Sequence, residues 1–284
     1  MAAKADRIIY VGGIVKAHKQ DMEGGDREDM KLPFGQDKFL AKLLTVNKNV
    51  VVVLVSGNAV EMPWLDQVPA VVESWYLGSE AGNAIASVLS GRVNPSGKLP
   101  FSFPVKLQDN AAHHSGNEIT YPGLAQEDAK GNHREEYQEG IFLGYRWHDT
   151  KGIKPLFAFG HGLSYTTFQI DNVAISNTSV SESDVVTVSA TVANTGNVDG
   201  KEVLQVYVGK DNSKVERAVK ELKGFSKVEV QKGASVQTKV NIPIKSLAFF
   251  NEETHSWEVE KGDYTVFVGN ASDNITAQLK LTVK

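Results

Sequence analysis

The chain has 284 residues, a formal net charge of −4 at pH 7 and no cysteine. This length is enough for two domains that each bury a hydrophobic core. The weak, mixed charge provides no field that would attract nucleic acid or an anionic membrane, and no apolar run approaches the roughly 18 residues of a membrane span. The absence of cysteine excludes disulfides, thiolate catalysis and cysteine-based zinc sites, but it does not identify the redox compartment.

The first third of the sequence alternates predicted strands and helices. Strands are predicted at 8–11, 50–55 and 70–74, and helices at about 35–46 and 80–89. The run at 50–55 is apolar at every position, which is typical of a strand inside a parallel sheet covered by helices on both faces. We therefore predict a parallel α/β sheet. Its three strands indicate part of a domain, because sheets usually have about five or six.

The segment 109–139 is polar and irregular, and it contains His113, His114 and His133. A long segment of this kind is usually functional or disordered. The adjacent histidines lack further ligands at zinc-site spacing, so a solvated loop is favoured over a metal site.

Residues 140–168 are dense in aromatic side chains, and Gly160 and Gly162 bracket His161. Aromatic rings fill grooves between packed elements, and glycine permits a close approach of the backbone. The sequence before this stretch is typical of an α/β fold, and the sequence after it is typical of an all-β fold. We therefore predict an extended tie buried between two domains, with His161 packed and hydrogen-bonded within it.

Beyond Phe168 the sequence alternates apolar and polar residues with the period of a β-strand, as at 186–192. Further alternating segments lie at 203–208, 236–242, 264–268 and 277–283, separated by turn residues such as Asn194-Thr195-Gly196. Some six or seven such strands predict a β-sandwich. The predicted organisation is a partial α/β domain at 1–108, an irregular segment and tie at 109–167, and a β-sandwich at 168–284.

Several motifs carry a resemblance to a known family. Gly-Tyr-Arg at 144–146 and Pro-Leu-Phe-Ala-Phe-Gly-His-Gly-Leu-Ser-Tyr-Thr-Thr-Phe at 155–168 resemble the segment that joins two domains in glycoside hydrolase family 3, the β-glucosidase group. Asn-Pro-Ser-Gly-Lys-Leu-Pro at 94–100 and Gly-Asp-Tyr-Thr-Val at 262–266 are also similar to family motifs. The resemblance implies the second half of the family's α/β sandwich domain, followed by its fibronectin-III-like domain.

The same resemblance implies the function. Members of the family carry the nucleophile, an aspartate, on an N-terminal (β/α)8 barrel, which this sequence does not contain. The chain is therefore expected to be the C-terminal portion of a retaining, exo-acting β-glucosidase-like enzyme that hydrolyses terminal β-D-glucosyl or related residues, and to be inactive alone. A β-glucoside or oligosaccharide is the expected substrate, a separately encoded barrel is a candidate partner, and no cofactor or metal is implied.

Glu23 is the residue that the resemblance assigns to catalysis. The sequence Glu-Gly-Gly-Asp-Arg at 23–27 matches the family's Glu-Gly-x-Asp-Arg pattern, in which the glutamate is the acid/base. Adjacent glycine lets a loop bend towards a neighbouring domain, and burial of a carboxyl there would raise its pKa towards the value that a general acid needs. Asp26 and Arg27 are expected to hold the loop by an ion pair. The alternatives are an exposed acidic loop without a role, or a calcium site, for which the EF-hand spacing is absent.

A second hypothesis is a non-catalytic carbohydrate-binding or assembly module. Trp64, Trp75 and Trp147 could stack on sugars, although packing in a core or interface is favoured. The uncovered edge of a partial sheet also predicts self-association. No signal peptide is predicted in this chain, and the compartment stays open, a periplasmic or secreted full-length enzyme being compatible with the resemblance.

Overall fold

A three-stranded parallel sheet organises the first part of the chain. The computed structural model describes residues 1–17, 20–23, 25, 27–125 and 132–284. The strands are β1 (Ile8–Gly13), β2 (Val50–Val55) and β3 (Ala70–Glu73), in the order β1-β2-β3. In the parallel register, Ile8 lies opposite Val50, and Val51 lies opposite Ala70. The predicted α/β arrangement is confirmed, and β2 is the central strand, as its uniformly apolar sequence indicates.

Helix α1 (Gln36–Val46) covers one face of this sheet, and α2 (Ala81–Leu89) follows β3. Leu40 and Leu44 of α1 are fully buried, and they pack in the same cluster as Val52 of β2. The indole of Trp64 is also buried there, and its Nε1 donates a hydrogen bond to Asp37 Oδ1 at 2.8 Å. Leu40 and Leu44, which are four residues apart, therefore lie on the face of α1 that packs on the sheet.

Within the described residues, β1 has a strand partner on one side only. Ile9 and Val11, on the face of β1 away from α1, are 52% and 57% exposed. With Ile85, Leu89 and neighbouring residues of α2 they line an open apolar groove of about 540 Å³. Self-association through this edge stays a prediction.

The connection between the two parts contains more helix than we predicted. It includes α3 (Ala111–His114), the short strands β4 (Leu124–Ala125) and β5 (His133–Arg134), and α4 (Tyr145–Lys151). The prediction of an extended chain was wrong at α4, which lies between two glycines with positive φ, Gly144 (φ 55°) and Gly152 (φ 67°). Further along, Phe103 and Phe157 form an isolated antiparallel bridge that ties this segment to the α/β part.

The remainder of the chain is a β-sandwich. Its strands are β6 (Phe168–Ile175), β7 (Ser179–Val180), β8 (Val185–Asn194), β9 (Gly200–Lys210), β10 (Glu221–Val230), β11 (Ser235–Pro243), β14 (Gly262–Ala271) and β15 (Asn274–Val283); a separate hairpin consists of β12 (Phe249–Asn251) and β13 (Ser256–Glu258). The sheets have the orders β10-β9-β14-β15-β7 and β11-β8-β6. In β8 the alternate residues fill the core as predicted: Val186, Val188, Ala190 and Val192.

Strand β9 is buried on both faces, because the connection packs against the outer face of the five-stranded sheet. The Tyr145 ring of α4 stacks on Phe159 at 4.7 Å and meets the Tyr207 ring of β9 edge-on at 5.9 Å. Gln205 of β9 donates a hydrogen bond to the carbonyl oxygen of Gly160 at 3.3 Å. The buried tie between the two parts is therefore present.

Short 3₁₀ turns complete the secondary structure: Ala2–Lys4, Pro33–Gly35, Leu65–Gln67, Gly78–Glu80, Leu107–Asp109 and Ile244–Leu247. No helix in the described part of the chain combines the length and the apolar character needed to cross a bilayer.

Candidate functional site

The carboxyl ends of the three parallel strands form one edge of the α/β part. Ligands of open α/β sheets bind in the crevice outside this edge, since the loops that leave the strands converge there. β1 ends at Gly13, β2 at Val55 and β3 at Glu73. The loop that contains Glu23 follows β1, so the candidate acid/base belongs to this edge.

Glu23 lies in a tight turn with its side chain exposed to solvent. The turn is closed by a bridge between Met22 and Gly25, in which the Gly25 N–H donates to the Met22 carbonyl at 3.1 Å. Gly25 itself is buried. The carboxylate therefore faces outward from a turn whose base is packed; Gly24 and Asp26 of the same motif lie outside the described residues.

Asp21 fixes one end of this turn to the loops that follow β2 and β3. Its Oδ2 accepts a hydrogen bond from the Tyr76 hydroxyl at 2.8 Å, and its Oδ1 accepts one from Asn58 Nδ2 at 3.3 Å. Burial and the bond to Asp21 raise the pKa of Tyr76 to about 12, so the hydroxyl stays protonated and acts as the donor. At Gly57 a Cβ atom would lie 2.5 Å from Asp21 Oδ2, so a larger residue there would displace the Asp21 carboxylate.

Arg27 fixes the other end of the turn. Its Nη2 donates a hydrogen bond to the Ala59 carbonyl at 2.9 Å. Burial lowers the pKa of this guanidinium, and the negative charge of Asp21 acts in the opposite direction. The proposed ion pair between Asp26 and Arg27 involves a residue outside the described part and stays a prediction. Both ends of the segment 21–27 are thus attached to the loop after β2.

Glu73 is a candidate residue of this edge that the sequence analysis missed. It is the last residue of β3, where its Oε1 accepts a hydrogen bond from the Trp75 N–H at 3.0 Å and its Oε2 lies 3.2 Å from Ser56 Oγ. Burial raises the pKa of Glu73 to about 7, against the lowering effect of the hydrogen bonds from Trp75 and Ser56. Glu73 could have been proposed from the sequence, because it lies at the end of a predicted parallel strand.

The tryptophans considered in the sequence analysis are packing residues, as predicted. Trp64 and Trp147 are 1% and 8% exposed, and Trp147 Nε1 donates to the Asp109 carbonyl at 3.0 Å. The Trp75 ring packs against Phe101 and Phe103, with centroids 5.5 and 6.2 Å apart. These rings are therefore used by the fold itself.

His161, His113 and His114 pack against aromatic rings. The His161 ring lies 5.1 Å from the Phe157 ring, and burial lowers its pKa. His113 packs edge-on against Tyr121 at 4.9 Å, and His114 against Trp147 at 5.2 Å. Among the residues that the structure describes, no three histidine or acidic side chains come together as a potential metal site.

Comparison with family models identifies both parts of the chain. Residues 1–145 match the model described as the glycosyl hydrolase family 3 C-terminal domain. Residues 202–272 match a fibronectin type III-like domain.

Curated relatives extend this similarity along the whole chain. It is 48% identical to a β-glucosidase of Bacteroides ovatus over 274 residues, which are 96% of this chain and 36% of that protein. It is 43% identical to a β-glucosidase of Kluyveromyces marxianus over 286 residues, which cover 100% of this chain and 32% of that protein. The chain therefore spans about a third of the length of these relatives.

Solved structures share the arrangement of both parts. DesR, a β-glucosidase from Streptomyces venezuelae in complex with D-glucose, aligns with a TM-score of 0.89 and 35% identity, over 100% of this chain and 34% of that one. The Kluyveromyces marxianus β-glucosidase in complex with glucose aligns with a TM-score of 0.86 and 42% identity, over 100% of this chain and 32% of that one.

Proposed function

Because the chain belongs to glycoside hydrolase family 3, we propose that it is the C-terminal portion of a retaining, exo-acting β-glucosidase and that Glu23 is its acid/base. The substrate of the complete enzyme is a terminal β-D-glucosyl residue, as the names of the relatives suggest. We further propose that the nucleophile is supplied by the family's barrel and that residues 1–284 on their own are inactive.

The observation that carries the proposal is an exposed carboxylate on an anchored turn. Glu23 faces solvent, whereas Asp21 and Arg27 hold the flanking backbone at the carboxyl edge of the sheet. A general acid must be held within hydrogen-bond reach of its target, and it must be accessible to a substrate bound by another domain. A turn fixed at both ends with an outward carboxylate meets both needs.

The chemistry follows from two carboxyl groups about 5–5.5 Å apart. In the first step the nucleophile attacks the anomeric carbon, while the Glu23 carboxyl gives its proton to the departing glycosidic oxygen. In the second step the Glu23 carboxylate removes a proton from water as that water cleaves the glycosyl-enzyme bond. Closure of the barrel over Glu23 would exclude water, and this makes a carboxyl effective as an acid near neutral pH.

We expect Glu23→Gln to lower the turnover of the complemented enzyme by about 10²- to 10⁴-fold, because an amide cannot transfer the proton. The assay combines this chain with a family 3 barrel supplied as a second polypeptide and measures hydrolysis of aryl β-glucosides. The loss should be greatest for phenols of high pKa, since these leaving groups most need protonation. Glu252→Gln, an exposed glutamate of the β12–β13 turn, serves as the control and should retain activity.

Two results would contradict the proposal. One is an equal loss for all leaving groups in Glu23→Gln, because an acid acts in proportion to the need for protonation. The other is hydrolysis by the purified chain without a barrel, because it would place a complete pair of carboxyl groups within this sequence.

A second candidate function is carbohydrate binding by the sandwich. The β12–β13 hairpin presents Phe250 and Trp257, which are 47% and 71% exposed and meet edge-on at 5.6 Å. Exposed aromatic faces of this kind are suited to stacking on apolar sugar faces. If this function holds, titration with cello-oligosaccharides releases heat, and Trp257→Ala abolishes it while Phe225→Ala, at a 66% exposed position on β10, does not. No heat with the unsubstituted chain excludes this function.

We also propose the division into units 1–108, 109–167 and 168–284. The start of the first sandwich strand at Phe168 supports the last of these bounds.

A further inference from the structure

The hydroxyl of Ser56 lies between two oxygen atoms and has one proton to offer. Its Oγ is 2.9 Å from the Asn58 carbonyl oxygen and 3.2 Å from Glu73 Oε2. The carbonyl oxygen can only accept, and it is the nearer of the two, so the Ser56 hydroxyl donates its hydrogen bond to it. One proton cannot bond fully to both oxygens, so both contacts are complete hydrogen bonds only when the Glu73 carboxyl is protonated and donates to Ser56 Oγ.

The surroundings of Glu73 favour this neutral form. Ser56 is fully buried, and Trp75, whose N–H binds the other carboxyl oxygen, packs on Phe101 and Phe103. The charged groups of the neighbouring loops have other partners: Asp21 binds Tyr76 and Asn58, and Arg27 binds the Ala59 carbonyl. Burial raises the pKa of Glu73 to about 7 against the lowering effect of the hydrogen bonds from Trp75 and Ser56, and no cation is among the causes.

The same turn carries the anchors of the Glu23 segment. Asn58, whose carbonyl receives the Ser56 proton, also donates its side-chain amide to Asp21 at 3.3 Å. The next residue, Ala59, accepts the hydrogen bond of Arg27 at 2.9 Å. A chain of contacts therefore leads from Glu73 through Ser56 to both attachment points of the segment 21–27.

We propose that Glu73 is a positioning residue: its protonated carboxyl fixes the 56–59 turn and, through that turn, the segment that carries Glu23. When Glu73 is ionised, the carboxylate competes with the Asn58 carbonyl for the single Ser56 proton, and the turn loosens. The positioning of a catalytic group rests on the proposed function, whereas the link between Glu73 and the segment does not.

The sign of the pH effect follows from linkage. The pKa of Glu73 is raised in the folded state above its ordinary value of 4.5, so the folded state binds the proton more tightly than the opened state does. The contribution of the protonated group to stability is complete below pH 4.5 and is lost as the pH rises through about 7. Opening of the turn should therefore become about tenfold more frequent between roughly pH 6 and pH 8.

Limited proteolysis of the segment 14–32 tests this inference. In the unsubstituted chain, cleavage normalised to the intrinsic protease rate should rise about tenfold over that pH interval, because cleavage follows the population of the open form. Glu73→Gln should remove the rise, since its amide donates to Ser56 Oγ at every pH. Glu80→Gln, at an exposed position, should leave the rise unchanged.

Two further measurements guard against a variant that misfolds. The infrared band of a protonated carboxylic acid should disappear across the same pH range in the unsubstituted chain and be absent from Glu73→Gln. Ser56→Ala should keep this band and its loss with rising pH, but the cleavage rate should no longer change over the same pH range. An unchanged pH response in Glu73→Gln, or a carboxyl already ionised at pH 6, would overturn the inference. None of these readouts depends on glycosidase activity, so a failed Glu23 experiment would leave them intact.

Discussion

Replacement of Lys98 by methionine is expected to lower the free energy of unfolding by about 3–5 kcal/mol. Lys98 belongs to the α/β part and Glu202 to β9, and their Nζ and Oε1 atoms are 2.7 Å apart with only 13% and 7% of the side chains exposed. The second carboxylate oxygen of Glu202 accepts a hydrogen bond from Asn270 at 3.0 Å. Without the ammonium group, a negative charge would remain buried between the two parts without its partner.

Lys201→Met is the matched control, because Lys201 forms an ion pair with Glu229 at 3.2 Å while the side chains are 51% and 66% exposed. An exposed pair contributes only about 0–1 kcal/mol. Urea unfolding followed by far-ultraviolet circular dichroism compares the two variants, and Glu202→Gln in the Lys98→Met background should recover part of the loss. Equal midpoints for Lys98→Met and Lys201→Met would show that the buried pair does not hold the two parts together.

Truncation of Trp64 to alanine is expected to cost the α/β part about 3–5 kcal/mol. The indole is 1% exposed within the cluster that includes Leu40 and Leu44, so its removal leaves a cavity that neighbouring backbone cannot fill. The change also leaves Asp37 Oδ1 without the Trp64 hydrogen bond. A loss of this size is large against the stability of an ordinary domain.

The same substitution at Trp257 provides the control, since that side chain is 71% exposed and its loss should change stability by less than about 0.5 kcal/mol. Trp64→Phe separates the ring from the hydrogen bond, and it should have an intermediate effect. Thermal unfolding measured by circular dichroism ranks the variants. The interpretation fails if Trp64→Ala and Trp257→Ala melt together.

The parallel sheet could be predicted because its evidence is local. The Val50–Val55 run is apolar at every position, and α1 has leucines at helical spacing, so each element is encoded within a few residues. The sandwich strand β8 was predictable for the same reason. The family motifs added the identity of both parts, which periodicity alone does not provide.

Other elements depend on distant partners. Helix α4 has only seven residues, and its Tyr145 and Trp147 suggested an extended segment; the helix is stabilised by contacts of Tyr145 with Phe159 and Tyr207. Strand β10 escaped prediction because its interior contains Gly224, at a register shift, and charged residues on its outward face. Neither feature follows from local propensity.

The candidate site also combines a part that could be predicted from the sequence with a part that depends on tertiary structure. Glu23 could be proposed from its motif, but the partners of Asp21 and Arg27 come from loops after β2 and β3. The protonated state inferred for Glu73 depends on burial and on Ser56, which no spacing in the sequence brings next to it. The Lys98–Glu202 pair is likewise a product of tertiary structure.

The two-sided burial of β9 has a consequence for the modularity of the sandwich. The outer face of β9, which includes Gln205 and Tyr207, is not exposed to water, because Phe159 and Gly160 cover it. The connecting segment therefore acts as a third layer. If the sandwich is fused to another protein, the connecting segment has to be included. Without it, the outer face of the sheet at β9 would be exposed to solvent.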